Sequence, residues 1–152
     1  MASIPLNFVG NQSGFYTRND GAAPFAYDGT TMVYQGVGPV SSFSSGNVAN
    51  ATATATIPAA AAKLGYITGF EVTGGGATAG SVVSLTITGL LGGTATYSVA
   101  VPTGAILGLT PLIVEFLQPL PASAVNTAIV VSLPALGAGN TNAAVVAHGF
   151  SL

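Results

Sequence analysis

The stretch Val83-Ser84-Leu85-Thr86-Ile87-Thr88, followed by Gly89-Leu90-Leu91-Gly92-Gly93 and Thr94-Ala95-Thr96-Tyr97-Ser98-Val99-Ala100-Val101, decides the fold class. Val83, Leu85 and Ile87 alternate with Ser84, Thr86 and Thr88. Tyr97, Val99 and Val101 alternate with Thr94, Thr96 and Ser98 in the same way. A period of two places one set on each face of a strand. The glycine-rich segment between the runs reverses the chain, so together they read as a β-hairpin.

The same punctuation continues on both sides. Ala51–Ile57 is a strict Ala/Thr alternation, read as a plain edge or linker strand. An ice-binding array of threonines would need that pattern on many stacked strands, and in the sequence it occurs once. Tyr66–Val72 is expected to place Tyr66, Phe70 and Val72 on one face. Leu112, Val114 and Phe116 share a face, as do Ile129, Val131 and Leu133. Ala143–Phe150 is a last strand whose inward face the pattern leaves open. This amounts to about seven strands after residue 50, spaced as in all-β domains. Helical periodicity and caps are absent, and Ala59–Ala62, confined by Pro58 and Gly65, has room for a single turn. Thr-Gly pairs at 68–69, 73–74, 88–89 and 103–104 recur at uneven intervals, which is turn chemistry and not a solenoid repeat. The expected fold is all-β, a jelly-roll-like or immunoglobulin-like β-sandwich over residues 51–152, with strand order open.

Residues 1–50 read differently. They hold seven of the twelve aromatics, namely Phe8, Phe15, Tyr16, Phe25, Tyr27, Tyr34 and Phe43, among frequent Gly, Asn, Ser and Pro. Asp20-Gly21 and Asp28-Gly29 are turn signals. The segment is expected to be an extended aromatic-rich arm with one short strand around Thr31–Gln35, and the Ser/Asn-rich Ser41–Asn50 is expected to be a linker. Aromatics are enriched at interfaces. Phe8, Phe15, Tyr16, Arg18, Phe25, Tyr27 and Tyr34 are therefore the candidate contacts to a partner or a neighbouring copy, the alternative being that they fold back on their own sandwich.

Charge bounds the function. Arg18, Asp20, Asp28, Lys63, Glu71 and Glu115 are the only charged residues among 152, where about a quarter is ordinary. Mixed surface charge normally disperses a protein and guards edge strands. A chain whose outward positions are Thr, Ser, Ala and Gly is expected to be covered by copies of itself or by a larger particle. Two basic residues exclude binding to a row of phosphates or to an anionic membrane surface. No window supplies the roughly 20 apolar residues of a spanning helix despite a mean hydropathy of +0.67, and a membrane barrel would lack its aromatic girdles. The start shows no signal-peptide pattern, so the two N-x-Ser/Thr sequons, at Asn11 and Asn50, carry no weight.

The inventory for catalysis is thin, and the expected reading is a protein that is not an enzyme. His148 is the only histidine, and no Gly-x-Ser-x-Gly elbow accompanies it. It is read as a strand histidine, partly exposed or in an interface. Glu71 and Glu115 lie on expected strands and would be adjacent if those strands pair, but a carboxylate pair for sugar hydrolysis lacks Trp beside it. Pairing of these acids with Lys63 or Arg18 is the expected role. One histidine and no cysteine leave no transition-metal set, and Asn19, Asp20 and Asp28 lack EF-hand spacing. Gly74-Gly75-Gly76 is followed by no Lys-Ser/Thr, so no phosphate loop is expected. No cofactor is implied.

Several runs carry a resemblance. They are Gly65-Tyr66-Ile67-Thr68-Gly69-Phe70-Glu71-Val72-Thr73-Gly74, the hairpin through Gly92-Gly93, Pro119-Leu120-Pro121-Ala122-Ser123, Asn126-Thr127-Ala128-Ile129 and Gly137-Ala138-Gly139-Asn140-Thr141-Asn142. With them, roughly residues 51–152 resemble small β-sandwich virion proteins of tailed bacteriophages, the head decoration or cement proteins. The resemblance does not extend to the arm. It implies a jelly-roll-like domain on the outer surface of an icosahedral capsid, made in the host cytoplasm and bridging subunits of the major capsid protein. It implies a homo-oligomer, with a trimer at local three-folds favoured and a dimer at two-folds second, and no catalytic residues. The competing reading is a head-fibre or tail-associated module recognising a host surface glycan. A bacterial surface module would need a secretion route that the sequence does not show.

Overall fold

A computed structural model describes residues 40–104 and 108–152 in full and, earlier in the chain, the strands β1 (Phe25–Tyr27) and β2 (Met32–Tyr34). The chain divides into two units, Met1–Val37 and Gly38–Leu152. In the first, β1 and β2 form an antiparallel ribbon in which Phe25 pairs with Tyr34 and Tyr27 with Met32. β2 is the short strand expected around Thr31–Gln35.

The second unit is all-β, with no helix among the described residues. Its strands are β3 (Ser41–Ser44), β4 (Ala53–Ile57), β5 (Gly65–Gly75), β6 (Ser81–Leu90), β7 (Gly93–Val101), β8 (Leu112–Pro121), β9 (Ile129–Leu133) and β10 (Asn142–Ser151). Two four-stranded antiparallel sheets, ordered β3-β10-β5-β8 and β4-β9-β6-β7, enclose one core as a β-sandwich. The pairing is nested. β6 pairs with β7, β5 with β8, β4 with β9 and β3 with β10, so the chain runs as one long antiparallel ribbon doubled back at the β6–β7 turn. Rolling that ribbon adds two further ladders, β10 on β5 and β9 on β6.

Local chemistry explains the elements. In β4 the Ala/Thr alternation buries Ala53, Ala55 and Ile57 and exposes Thr54 and Thr56, and the strand is an edge as expected. The β6–β7 hairpin forms as read, with Leu85, Ile87, Val99 and Val101 buried. Gly89, at φ +83, sits where the register shifts before the turn. That backbone conformation favours glycine, and a Cβ there would run into the Ala128 carbonyl. Ala59–Ala62 makes no helix; a turn closed by the Lys63 N–H to the Ala60 carbonyl, 3.1 Å, takes its place.

Two expectations are corrected. Ser41–Asn50 is not a linker: Ser41–Ser44 is an edge strand on β10, and Val48 bridges Ala143. Its serines alternate around Phe43, which packs against the core, so a four-residue polar strand hides in a composition typical of linkers. Tyr66 does not share a face with Phe70 and Val72. The pairing of β5 shifts between Ile67 and Gly69, leaving Thr68 as an extra residue against β10. Such a bulge exchanges the faces. Ile67, Phe70 and Val72 are all fully buried, while Tyr66 turns outward and stacks on Phe150 at 5.1 Å between ring centroids. β10 carries no inserted residue, and plain alternation sends Ala143, Val145 and Ala147 into the core while Phe150, on the other face, is buried beneath Tyr66.

The core closes around Phe70, edge-on to Tyr97 at 5.0 Å and tilted to Phe116 at 6.3 Å, which links the two sheets. Asn140 is fully buried between β9 and β10, and its amide donates to the Gly75 and Asn142 carbonyls, 2.8 Å each, pinning that loop to the end of β5. Gly89→Ala is expected to destabilise the domain by about 1–3 kcal/mol, because it adds both left-handed strain and a backbone collision. Urea unfolding measures this, and an unchanged midpoint would contradict the role given to Gly89.

Candidate assembly surfaces and a polar row

Of the seven candidate interface residues, Phe8, Phe15, Tyr16 and Arg18 lie outside the described residues. Phe25, Tyr27 and Tyr34 come together on the β1–β2 ribbon, Phe25 and Tyr34 as paired residues.

In the sandwich, both carboxylates lie on one sheet, while Lys63 sits in the loop between β4 and β5. Glu71 on β5 and Glu115 on β8 are diagonal neighbours on the outer face of β3-β10-β5-β8, since Gly69 pairs with Glu115 and Glu71 with Ile113. That adjacency was expected; the partner was not. Among the described residues Glu71 pairs with His148 and not with Lys63, its Oε1 lying 3.3 Å from His148 Nε2. The other ring nitrogen, Nδ1, is 2.9 Å from Ser42 Oγ. β10 lies between β3 and β5, so its histidine reaches both neighbours: His148 pairs with Ser42 on one side and Gly69 on the other. A carboxylate only accepts, so in the neutral ring Nε2 carries the proton and Nδ1 accepts from the Ser42 hydroxyl.

Serine, imidazole and carboxylate in this order are the parts of a nucleophilic relay. Here the row lies at a sheet surface, with the His148 and Glu71 side chains 27% and 46% exposed and Ser42 exposed. In that setting an ion pair contributes little. The row ties the short edge strand β3 across β10 to β5. Beside it, Val40, Thr68, Ile113 and Glu115 border an open depression of about 410 Å³. Among the described residues no three His, Asp or Glu side chains converge as metal ligands would.

The opposite sheet, β4-β9-β6-β7, contains no charged residue at all. Register places Thr54 beside Ser132, Ser132 beside Thr86 and Thr86 beside Thr96, a hydroxyl row crossing all four strands. Thr56, Thr88, Thr94, Ser84 and Ser98 extend it along the exposed face. The Ala/Thr alternation of β4 is thus one column of a wider array, visible only once the strand order is known. Sequence reasoning also missed Ser42, which had no signal beyond a serine-rich segment.

No protein-family model, no curated protein and no solved structure matches this chain.

Ser42→Ala is expected to cost less than about 1 kcal/mol, the loss of one exposed hydrogen bond, and His148→Ala more, because both bonds go. Urea unfolding of the two variants decides; a His148→Ala protein as stable as Ser42→Ala would show that the row does not hold β3.

Proposed function

We propose that this chain is a structural virion protein that decorates the outer surface of an icosahedral phage capsid, bridges neighbouring major capsid subunits and acts as a homo-oligomer. The observation that carries the reading is a sandwich with one sheet free of charge and an exposed face of Thr, Ser, Ala and Val. Such a surface stays wettable but repels no neighbour, which suits a protein that spends its life covered. Many weak contacts repeated by capsid symmetry give avidity without a deep site.

The fold proposed for the role is the jelly roll. Its support is the nested pairing, in which the first and last strands of the sandwich pair and the innermost two form a hairpin, giving two four-stranded sheets. An immunoglobulin-like sandwich would group its strands as ABED and CFG. The aromatic arm, with Phe8, Phe15, Tyr16, Arg18, Phe25, Tyr27 and Tyr34, is assigned the capsid contact. Local three-folds suit a trimer, and two-folds a dimer.

The test is co-sedimentation with capsids assembled without this protein. The full chain is expected to bind to saturation in simple ratio to the major capsid protein. A chain beginning at Gly38, where the sandwich unit begins, is expected to stay folded and not bind. No saturable binding by the full chain would remove the decoration role, and saturation by the shortened chain would remove the arm from the contact.

A further inference from the structure

We infer that two copies of this chain associate edge to edge through β7, antiparallel about a two-fold axis, to make one continuous eight-stranded sheet. The inference rests on the reading of the chain as a self-assembling protein and names the contact.

The sandwich has four edge strands, and three carry devices that discourage pairing. β3 has four residues and β4 five. β8 contains Pro119 and Pro121, exposes Glu115 and slips register against β5 over residues 116–119. β7 has nine residues, Gly93–Val101, with no proline, no charge and no register break between Ala95 and Val101. Among the described residues it pairs on one side only, with β6. Among the described residues, its other side offers unpaired backbone groups along a regular strand.

The core is also least sealed there. On the edge strand β4 the inward residues Ala53, Ala55 and Ile57 are at most 1% exposed. Along β7 and β8, Ala95, Tyr97, Leu112, Val114 and Phe116 are only partly buried against the core. Farther along the same edge, where the inward Val99 and Val101 are buried, an open depression of about 560 Å³ is bordered by residues 98–102, Gly108 and residues 110–112.

The strand's own pattern selects its occupant. A two-fold axis normal to the sheet keeps inward residues opposite inward ones. With Tyr97 facing its counterpart, Ala95 meets Val99 and Thr96 meets Ser98, so apolar faces apolar and hydroxyl faces hydroxyl. The row Thr54–Ser132–Thr86–Thr96 then continues into the second copy. Aromatic and Thr–Ser cross-strand pairs are favourable, and no charge on β7 opposes its twin.

Sedimentation velocity of the full-length chain over a concentration series tests this. The unaltered protein is expected to dimerise reversibly. Thr96→Lys with Ser98→Lys places lysines opposite lysines across the proposed axis and is expected to weaken the dimer at least about tenfold, equal to 1.4 kcal/mol, with the circular dichroism spectrum unchanged. Thr54→Lys with Thr56→Lys adds the same charge to the same face at the opposite edge and is expected to leave the dimer intact. A monomer or trimer for the unaltered chain would overturn the inference, and so would equal weakening by both pairs or by neither. Capsid binding is scored separately: a chain that binds capsids but never dimerises loses this contact only, while one that dimerises but never binds capsids loses the decoration role only.

Discussion

The structure depends on the β10–β5 ladder, because that ladder turns a doubled-back ribbon into a closed sandwich. Without it, β3 with β10 and β5 with β8 would be separate two-stranded pairs, which are at best marginal in water. The ladder runs from Asn142 opposite Gly75 to Ser151 opposite Gly65. Its geometry is tight. A Cβ on Gly149 would run into the Tyr66 carbonyl across the ladder, and one on Gly69 would lie 2.5 Å from the Val114 carbonyl of β8, on the other side of β5. The Thr68 bulge lets β5 give Ile67 and then Phe70 to the same core while Tyr66, on the other face, stacks over the buried Phe150.

From that closure follow both surfaces. β10 sits between β3 and β5, so His148 can bond Ser42 and Glu71 together, residues far apart in the chain. On the opposite sheet the order β4-β9-β6-β7 lines up hydroxyls from four separate segments. One face therefore carries Glu71, Glu115 and His148, and the other carries none of the charge. The sandwich thus has two chemically distinct sides.

The strands after residue 50 were legible wherever burial follows period two without interruption. β6, β7, the first half of β8 and β9 each show a clean apolar face because one side packs on the core and the other, among the described residues, does not. Legibility failed where a bulge breaks the period, as at Thr68, which put Tyr66 on the wrong face. It failed where the side chains are too small and uniform to show a face, as in Ala143–Ala147. It failed for β3, whose place is decided by β10, about a hundred residues later, and not by its own serines. The adjacency of Glu71 and Glu115 was readable as a possibility of two neighbouring strands. The Ser42–His148–Glu71 row and the four-strand hydroxyl row were not, because both exist only through non-local register.

The central claim is that this chain is a repeated structural part of a virion. Quantitative mass spectrometry of purified virions tests it most directly, by counting this chain against the major capsid protein. The account predicts hundreds of copies in a simple ratio to the capsid protein. A handful of copies would assign the chain to a fibre or tail, and its absence from virions would contradict the account.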